Sequence, residues 1–576
     1  MPNFQSNDLS KRRIRTEDIV FAVLLALLTV LQLLRAPYGL DRADESYYLT
    51  VPYRFLQGDI PLVHEWNLGQ LSGLLLTPVM WVYRLFGGTG EGMILRFRYI
   101  YVFFQSVTAV LIYLLLRKKS ALGGLLAALI FVPFSPYLIM ALSYNSMGIG
   151  LLLLAGLVLA YNERSPAFQT AAGVLFAMAV LCCPYLLALY LCWGVGLGIY
   201  AAVKKERSGI KGFLVFTAGA AAVALVLAVA ILSRAGLREI LAGLPAMLND
   251  PEHTYLSLPK QTGKYFYHLL LSRKISLFAA AATAGIVVLG RLDRKRAEHR
   301  WLYVSAGAAV TAVFLLVVYA KYRYINYFML PLTVLGAVCY LHDAERDRAV
   351  FRYVYLSGWV YSYLMILSSN NFYEALTASL TVSTVASAYF AGKTAEVLLQ
   401  DKKSRKKLLA AGSAIACTAL ALVFTAASKL AYAHGTYFVM ATFPTSMMNY
   451  TIDCGPARGI RIYDNEYVNY MNRYEQSLPV RQAKGENVLY ITHDCWMYLA
   501  DRKKNAAYSS WLAIFSPDNV LERLEEYREQ HPEKLPDAVY IDKPILEHPE
   551  KFLALLDTGE YTVEESELAY VMIRNK

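Results

Sequence analysis

Apolar runs of about 18–22 residues recur along this chain, each long enough to carry a helix across roughly 30 Å of hydrocarbon. Nothing else restricts the fold as strongly, because a backbone crossing lipid must satisfy its own hydrogen bonds. The runs fall near 18–36, 98–116, 121–142, 146–161, 168–182, 184–203, 211–233, 275–290, 301–320, 324–341, 352–369, 373–397 and 407–428, about thirteen spans by hydropathy. Around Cys183-Pro184, two short helices or one broken helix fit equally well. Only 17% of the 576 residues are charged, too few to cover a soluble protein of this length. The expected fold is an α-helical polytopic membrane protein.

Charge divides the chain into two regions. Residues 430–576 hold 15 Lys+Arg against 22 Asp+Glu, a net of −7, and residues 1–429 hold 41 against 22, a net of +19. Basic loops such as "SKRRIR" (10–15), "KKER" (204–207), "RLDRKRAEHR" (291–300) and "DKKSRKK" (401–407) alternate with uncharged ones. The positive-inside rule accounts for this excess, so it does not indicate nucleic acid as a partner. It also places the N-terminus in the cytoplasm and puts loops 37–97 and 234–274, with the acidic tail, outside a plasma-membrane-type bilayer. The N-terminus lacks a small-residue cleavage site, so the first run reads as a retained span.

The tail, 430–576, reads as a small extracytoplasmic α/β domain beside a membrane domain of 1–429. "NVLYIT" (487–492) and "DAVYID" (537–542) are expected strands, with a helix over 518–531 between them and "KFLALLD" (551–557) after. No Gly-rich phosphate loop opens a helix there. The seven cysteines show no metal-ligand spacing, and a Cys454–Cys495 disulfide is allowed but not implied.

The first external loop, "GLDRADESYYLTVPYRFLQGDIPLVHEWN" (39–67), packs Asp41, Asp44, Glu45, Asp59 and Glu65 just beyond the membrane. One reading is local: Asp44 caps a helix and Glu45 supports its dipole. The other is chemical, since a carboxylate against apolar walls gains proton affinity and can serve as a general base. The two readings are compatible.

This loop resembles the first luminal or periplasmic loop of the GT-C membrane glycosyltransferases, which carry an acidic pair after the first span, then a G-D-x-P stretch and a further acidic position. Here these are Asp44-Glu45, Gly58-Asp59-Ile60-Pro61 and Glu65. The resemblance implies transfer of a sugar from a polyprenyl-phosphate carrier to an envelope glycan, lipid or protein. It assigns Asp44 as the base and gives Glu45 an orienting role. Lys321, Arg323, Arg42 and Lys260 are the expected contacts of the donor phosphate; Tyr47, Tyr48, Glu65 and Tyr324 those of sugar or acceptor. Members sometimes hold a divalent metal, for which His64, Glu65 and His253 are the candidate ligands here. No other cofactor is expected.

Lys321 and Arg323, in "YAKYRYINYFMLP" (319–331), are basic on the external face, where the positive-inside rule disfavours them; an aromatic belt with snorkelling cations is the plainer explanation. The loop 234–274 fits either a lid or a segment lying on headgroups. A glycolipid transporter or flippase is the alternative function. Against it, few ionisable residues lie deep in the spans and no repeated halves are visible. Movement of glycolipid across liposomes without sugar transfer distinguishes the two.

Overall fold

The computed structural model describes residues 16–67, 69–205, 208–248, 257–343, 345–369, 371–435, 442–512, 517–544, 546–556 and 559–575. Each of the thirteen apolar runs is helical over most of its length. Among the described residues eight helices are long and apolar enough to cross a membrane, and nine when the bent pair Phe372–Ser379 and Thr381–Leu399 counts as one span. Three further apolar helices, Ala121–Phe131, Pro166–Cys182 and Ile325–Leu341, are shorter. The chain is a multi-pass membrane protein.

Small residues set the tightest packing. A Cβ on Gly392 would sit 2.6 Å from Gly123 Cα, so these two helices touch backbone to backbone. Close approach of this kind is how helices associate in lipid, where no hydrophobic driving force acts between them. The buried helix Thr381–Leu399 carries Ser383, Thr384 and Ser387 among alanines, and their hydroxyls donate to backbone carbonyls.

The run read as 121–142 breaks after Phe131. Residues 132–143 are irregular yet buried, and Tyr137 and Leu138 take left-handed φ values of 58° and 65°. Irregular backbone at membrane depth persists only where protein surrounds it or where it lines a cavity.

Beyond the last membrane helix, Arg405–Ala431, the described residues form nine strands: β1 (Tyr432–His434), β2 (Thr442–Pro444), β3 (Tyr450–Thr451), β4 (Arg461–Ile462), β5 (Asn487–Ile491), β6 (Lys504–Asn505), β7 (Ala538–Asp542), β8 (Tyr561–Glu565) and β9 (Ala569–Arg574). The main sheet runs β6-β5-β7-β9-β8. β5, β6 and β7 are parallel, with helix Pro517–Gln530 between β5 and β7 as the sequence predicts. β9 then pairs antiparallel with both β7 and β8, which makes the sheet mixed.

This sheet domain and the first loop share their cores. Leu49, Tyr53 and Phe97 pack with Ile452 and Trp496, while Trp66 packs with Leu489 and Val520. Backbone hydrogen bonds join the two regions, including Gly39 N–H to Arg461 O at 2.7 Å and Trp66 N–H to Tyr508 O at 2.7 Å.

Candidate functional site

The loop helix Asp44–Leu56 organises the site, and its two ends use charge differently. At its C-terminal end Arg54, 1% exposed, donates from Nε to Asp59 at 2.6 Å, from Nη1 to Glu65 at 2.6 Å, and from Nη2 to the carbonyls of His64 and Ala507. Lys534, from the sheet domain, closes on the other Asp59 oxygen. Burial pushes the Asp59 carboxyl up, but Arg54 and Lys534 more than offset this and hold it below the usual carboxylate range. Glu65 also accepts the Ser510 N–H. Its carboxylate, expected from the sequence to meet acceptor or metal, is fully buried in this network.

Arg42 is held in a second network. Its guanidinium forks onto Asp494, with Nε at 2.6 Å, and reaches Glu466 at 3.5 Å. Asp494 also lies 3.3 Å from Arg473 Nε and accepts the Trp496 indole N–H. Arg42, expected from the sequence to meet the donor phosphate, therefore ties the first loop to the sheet domain. Glu45 pairs with Arg98 through both oxygens at 2.6 Å, and Arg98 in turn binds the carbonyls of Ala36, Tyr38 and Gly39. Glu45 thus fixes the backbone leading into the helix.

At the N-terminal end the N-cap residue is Ala43, which offers no side chain to cap; Asp41, two residues earlier, accepts the Glu45 N–H at 3.2 Å, and Asp44 is the first helical residue and not the cap. Burial raises the proton affinity of Asp41 well above the usual carboxylate range, and the neighbouring Asp44 and Glu45 raise it further. Asp44 is only partly buried, and its described neighbours include Tyr48, Tyr137 and Tyr144. The Tyr48 and Tyr144 rings meet edge to face at 5.5 Å.

Tyr137 links Asp44 to a second cluster. Its left-handed backbone is held by Asn326, whose Oδ1 accepts the Tyr137 N–H at 3.0 Å, and by His434, whose ring donates to the Tyr137 carbonyl. A bulky residue in this region stores roughly 1–3 kcal/mol and persists only where its surroundings fix it. Tyr137 lies within the fields of both Asp44 and Glu374. Tyr327 donates to Glu374, and Arg273 stands 4.0 Å from the Tyr322 ring centroid, 5.0 Å from Tyr373 and 5.3 Å from Tyr327. Lys264 and His268 border the same cluster across Phe372. Glu374, Tyr327 and Arg273 therefore form one polar cluster, and Tyr137 lies within electrostatic reach of both this cluster and Asp44.

Of the other expected residues, Tyr324 is buried beside Tyr137, Tyr327 and Asp41. Tyr47 is buried edge-on to Trp511. Lys321 and Arg323 are exposed, Lys321 over the Tyr322 ring and Arg323 donating to Tyr432; among the described residues no contact joins either to Asp44. Lys260 is exposed, and His253 lies outside the described residues.

His64 meets His531 and Glu533, the one group among the described residues with ligand atoms close enough for a metal. However, the Ile60 N–H donates to His64 Nδ1 at 2.9 Å, which puts the ring proton on Nε2, the atom facing Glu533 at 3.7 Å. A cation there would have to displace that proton, so the trio does not fit a resident metal. Sequence reasoning missed Arg273, Glu374 and Tyr137. The signals were a lone carboxylate in the apolar "FYEALTASL" and prolines interrupting "FVPFSPYLIM".

No family model matches the chain, and no curated protein matches it. Solved structures align over 97% of it at low identity. ArnT from Cupriavidus metallidurans aligns in the apo state (12% identity, TM-score 0.38) and bound to undecaprenyl phosphate (12%, 0.43), each over 98% of that protein's chain. The archaeal oligosaccharyltransferase AglB from Archaeoglobus fulgidus, in complex with an inhibitory peptide and a dolichol-phosphate, aligns over 74% of its own chain (14%, 0.40).

Proposed function

We propose that this chain is a membrane glycosyltransferase that moves a sugar from a polyprenyl-phosphate carrier to an acceptor hydroxyl on the side of the membrane bearing the sheet domain. The observation that supports the reading is the Glu374–Tyr327–Arg273 cluster, which shares with Asp44 the electrostatic surroundings of Tyr137. Transfer of this kind needs a base and a cation at opposite ends of one sugar. Asp44 accepts the acceptor's proton as its oxygen bonds to the anomeric carbon. The bond from that carbon to the phosphate oxygen breaks, and the carrier leaves as polyprenyl phosphate.

Arg273 faces the departing anion in this reading. A guanidinium suits that task because it binds phosphate oxygens in pairs and keeps its charge. Tyr48, Tyr144 and Tyr324 supply faces and hydroxyls for the sugar. Lys321 and Arg323, outside this cluster, suit an approaching headgroup better than a reacting one.

The test is transfer from a labelled polyprenyl-phosphate sugar by the purified full chain in nanodiscs, read as release of polyprenyl phosphate. Asp44→Asn is expected to lose activity by about 10²–10⁴-fold, the usual contribution of a positioned base, with unchanged yield and melting. Arg273→Gln is expected to weaken carrier binding and turnover together. Wild-type turnover in Asp44→Asn removes it as the base.

A further inference from the structure

Only residues 233–236 separate the membrane span Gly209–Leu232 from the helix Leu237–Leu248 of the second external loop. Four residues reach at most about 14 Å. The chain also turns tightly here, with the Arg234 and Ala235 N–H groups both donating to the Ile231 carbonyl at 3.0 Å. Arg234 donates from Nη2 to the Gly58 carbonyl at 2.8 Å. The helix therefore starts beside the end of a span and against the first loop.

Its two faces are used differently. On one, Gly243, Ala246 and Met247 are buried. A Cβ on Gly243 would stand 2.9 Å from the Trp66 indole nitrogen, so the missing side chain is what lets the helix come this close. Ala246 and Met247 share a core with Trp66, Leu489 and Val520, and Arg523 of the sheet domain donates to the Ala246 carbonyl. This face is part of the footing of the sheet domain.

On the other face stand Leu237, Leu241, Leu244 and Leu248, between 38% and 63% exposed. Steps of four, three and four residues keep side chains on one side of a helix, so these leucines form a single stripe. An exposed apolar stripe of this kind marks a surface that something covers. What lies next to it names the occupant. Leu225, Val226, Val229 and Leu232 of the preceding span are exposed too, and on a membrane span such residues face acyl chains. The next described helix, Leu258–Phe266, again exposes Leu258 and Phe266. Arg238, exposed beside Leu237, adds the cation common on helices that lie at headgroup level. The stripe thus continues a lipid-facing surface.

We propose that Leu237–Leu248 is an interfacial helix, its leucine stripe set into the bilayer leaflet on the sheet-domain side, with the sheet domain docked on its opposite face. The bilayer is then a structural partner of the sheet domain as well as of the spans. With the leucines sunk to roughly 5–10 Å, Trp66 and the core around it are held at a fixed height above the hydrocarbon. Of the two readings open to 234–274, a lid or a segment lying on headgroups, this takes the second. It does not rest on the transferase reading, because lipid contact is measured directly.

The test uses the full chain in nanodiscs with one bimane reporter on Leu241→Cys, in a Cys192→Ser background because Cys192 is the exposed native cysteine. Phospholipid carrying a doxyl group near the top of its acyl chain is expected to quench this reporter at least about twofold more than one on Glu564→Cys, at an exposed position of β8. Leu237→Glu together with Leu244→Glu charges the stripe and leaves the buried face intact. That pair is expected to bring the quenching at position 241 down to the level at 564 and to speed hydrogen exchange in β5 about tenfold. The quenching comparison decides the matter if the charged variant does not fold. Equal quenching at the two positions, unchanged exchange in the charged variant, or a second copy of the chain shielding position 241 from lipid overturns the proposal.

Discussion

The two ends of the helix Asp44–Leu56 begin from similar sequence, carboxylates beside tyrosines, and arrive at opposite chemistry. At the C-terminal end Asp59 and Glu65 are matched to Arg54 and Lys534 and lock the first loop to the sheet domain. At the N-terminal end Asp41 and Asp44 sit among tyrosines and each other, with Glu45 turned away to Arg98. A density of carboxylates therefore does not by itself mark a site. In the proposed reaction Asp44 is the working carboxylate, whereas Asp59 and Glu65, held by buried cations, serve docking.

The most severe way to break this comparison is to exchange the roles by mutation. Asp44→Asn should remove at least about a hundredfold of transfer activity while Asp59→Asn leaves the chemistry standing but loosens the fold. Activity per folded molecule, measured beside melting of each variant, checks the pair; equal activity losses would erase the distinction. Next, Arg54→Met leaves Asp59 and Glu65 buried without their cation and should destabilise the docked domain by about 3–5 kcal/mol. Hydrogen exchange over β5 and β7 is expected to rise before exchange in the membrane helices does.

A smaller effect comes with pH. Burial holds the His64 imidazole down to about 3, whereas an unfolded histidine titrates near about 6.5. Between these values the unfolded chain binds a proton that the folded one refuses, so stability falls as pH drops below about 6.5, by at most about 1.4 kcal/mol per unit. Asp59, held low in the fold, adds a further loss only as pH falls below about 3.9. His64→Gln should flatten the upper part of this slope and leave the lower part, as followed by tryptophan fluorescence across pH. The smallest change is Tyr53→Phe, which removes the bond from the Tyr53 hydroxyl to the Asp501 carbonyl and should cost about 1 kcal/mol.

Much of the architecture was legible because lipid imposes a simple rule on the sequence. Every apolar run became a helix, and the strands at 487–492 and 537–542 formed where alternation and β-branched residues placed them. The β8–β9 hairpin was not foreseen; the exposed Glu564 and Glu565 in β8 do not read as strand residues. Nor was the break at Phe131, since hydropathy averages over Pro133 and Pro136. At the site, Asp44 stood out, but the networks around Arg42 and Glu65 did not. Their partners Asp494 and Ser510 lie hundreds of positions away, and nothing local announces such pairings. Arg273 was hidden because one cation ending an external loop resembles any other until the tyrosines around it are in place.

The long reach of these contacts bears on how the protein is made. Arg42 meets a residue 452 positions later, and Arg54 one 453 positions later, so the first loop cannot complete its core until nearly the whole chain has left the ribosome. Segments that wait this long for their partners are slow to close and prone to aggregate meanwhile. Nascent chains truncated before about residue 494 should therefore display the first loop to proteases, and the full-length protein should resist the same cleavage.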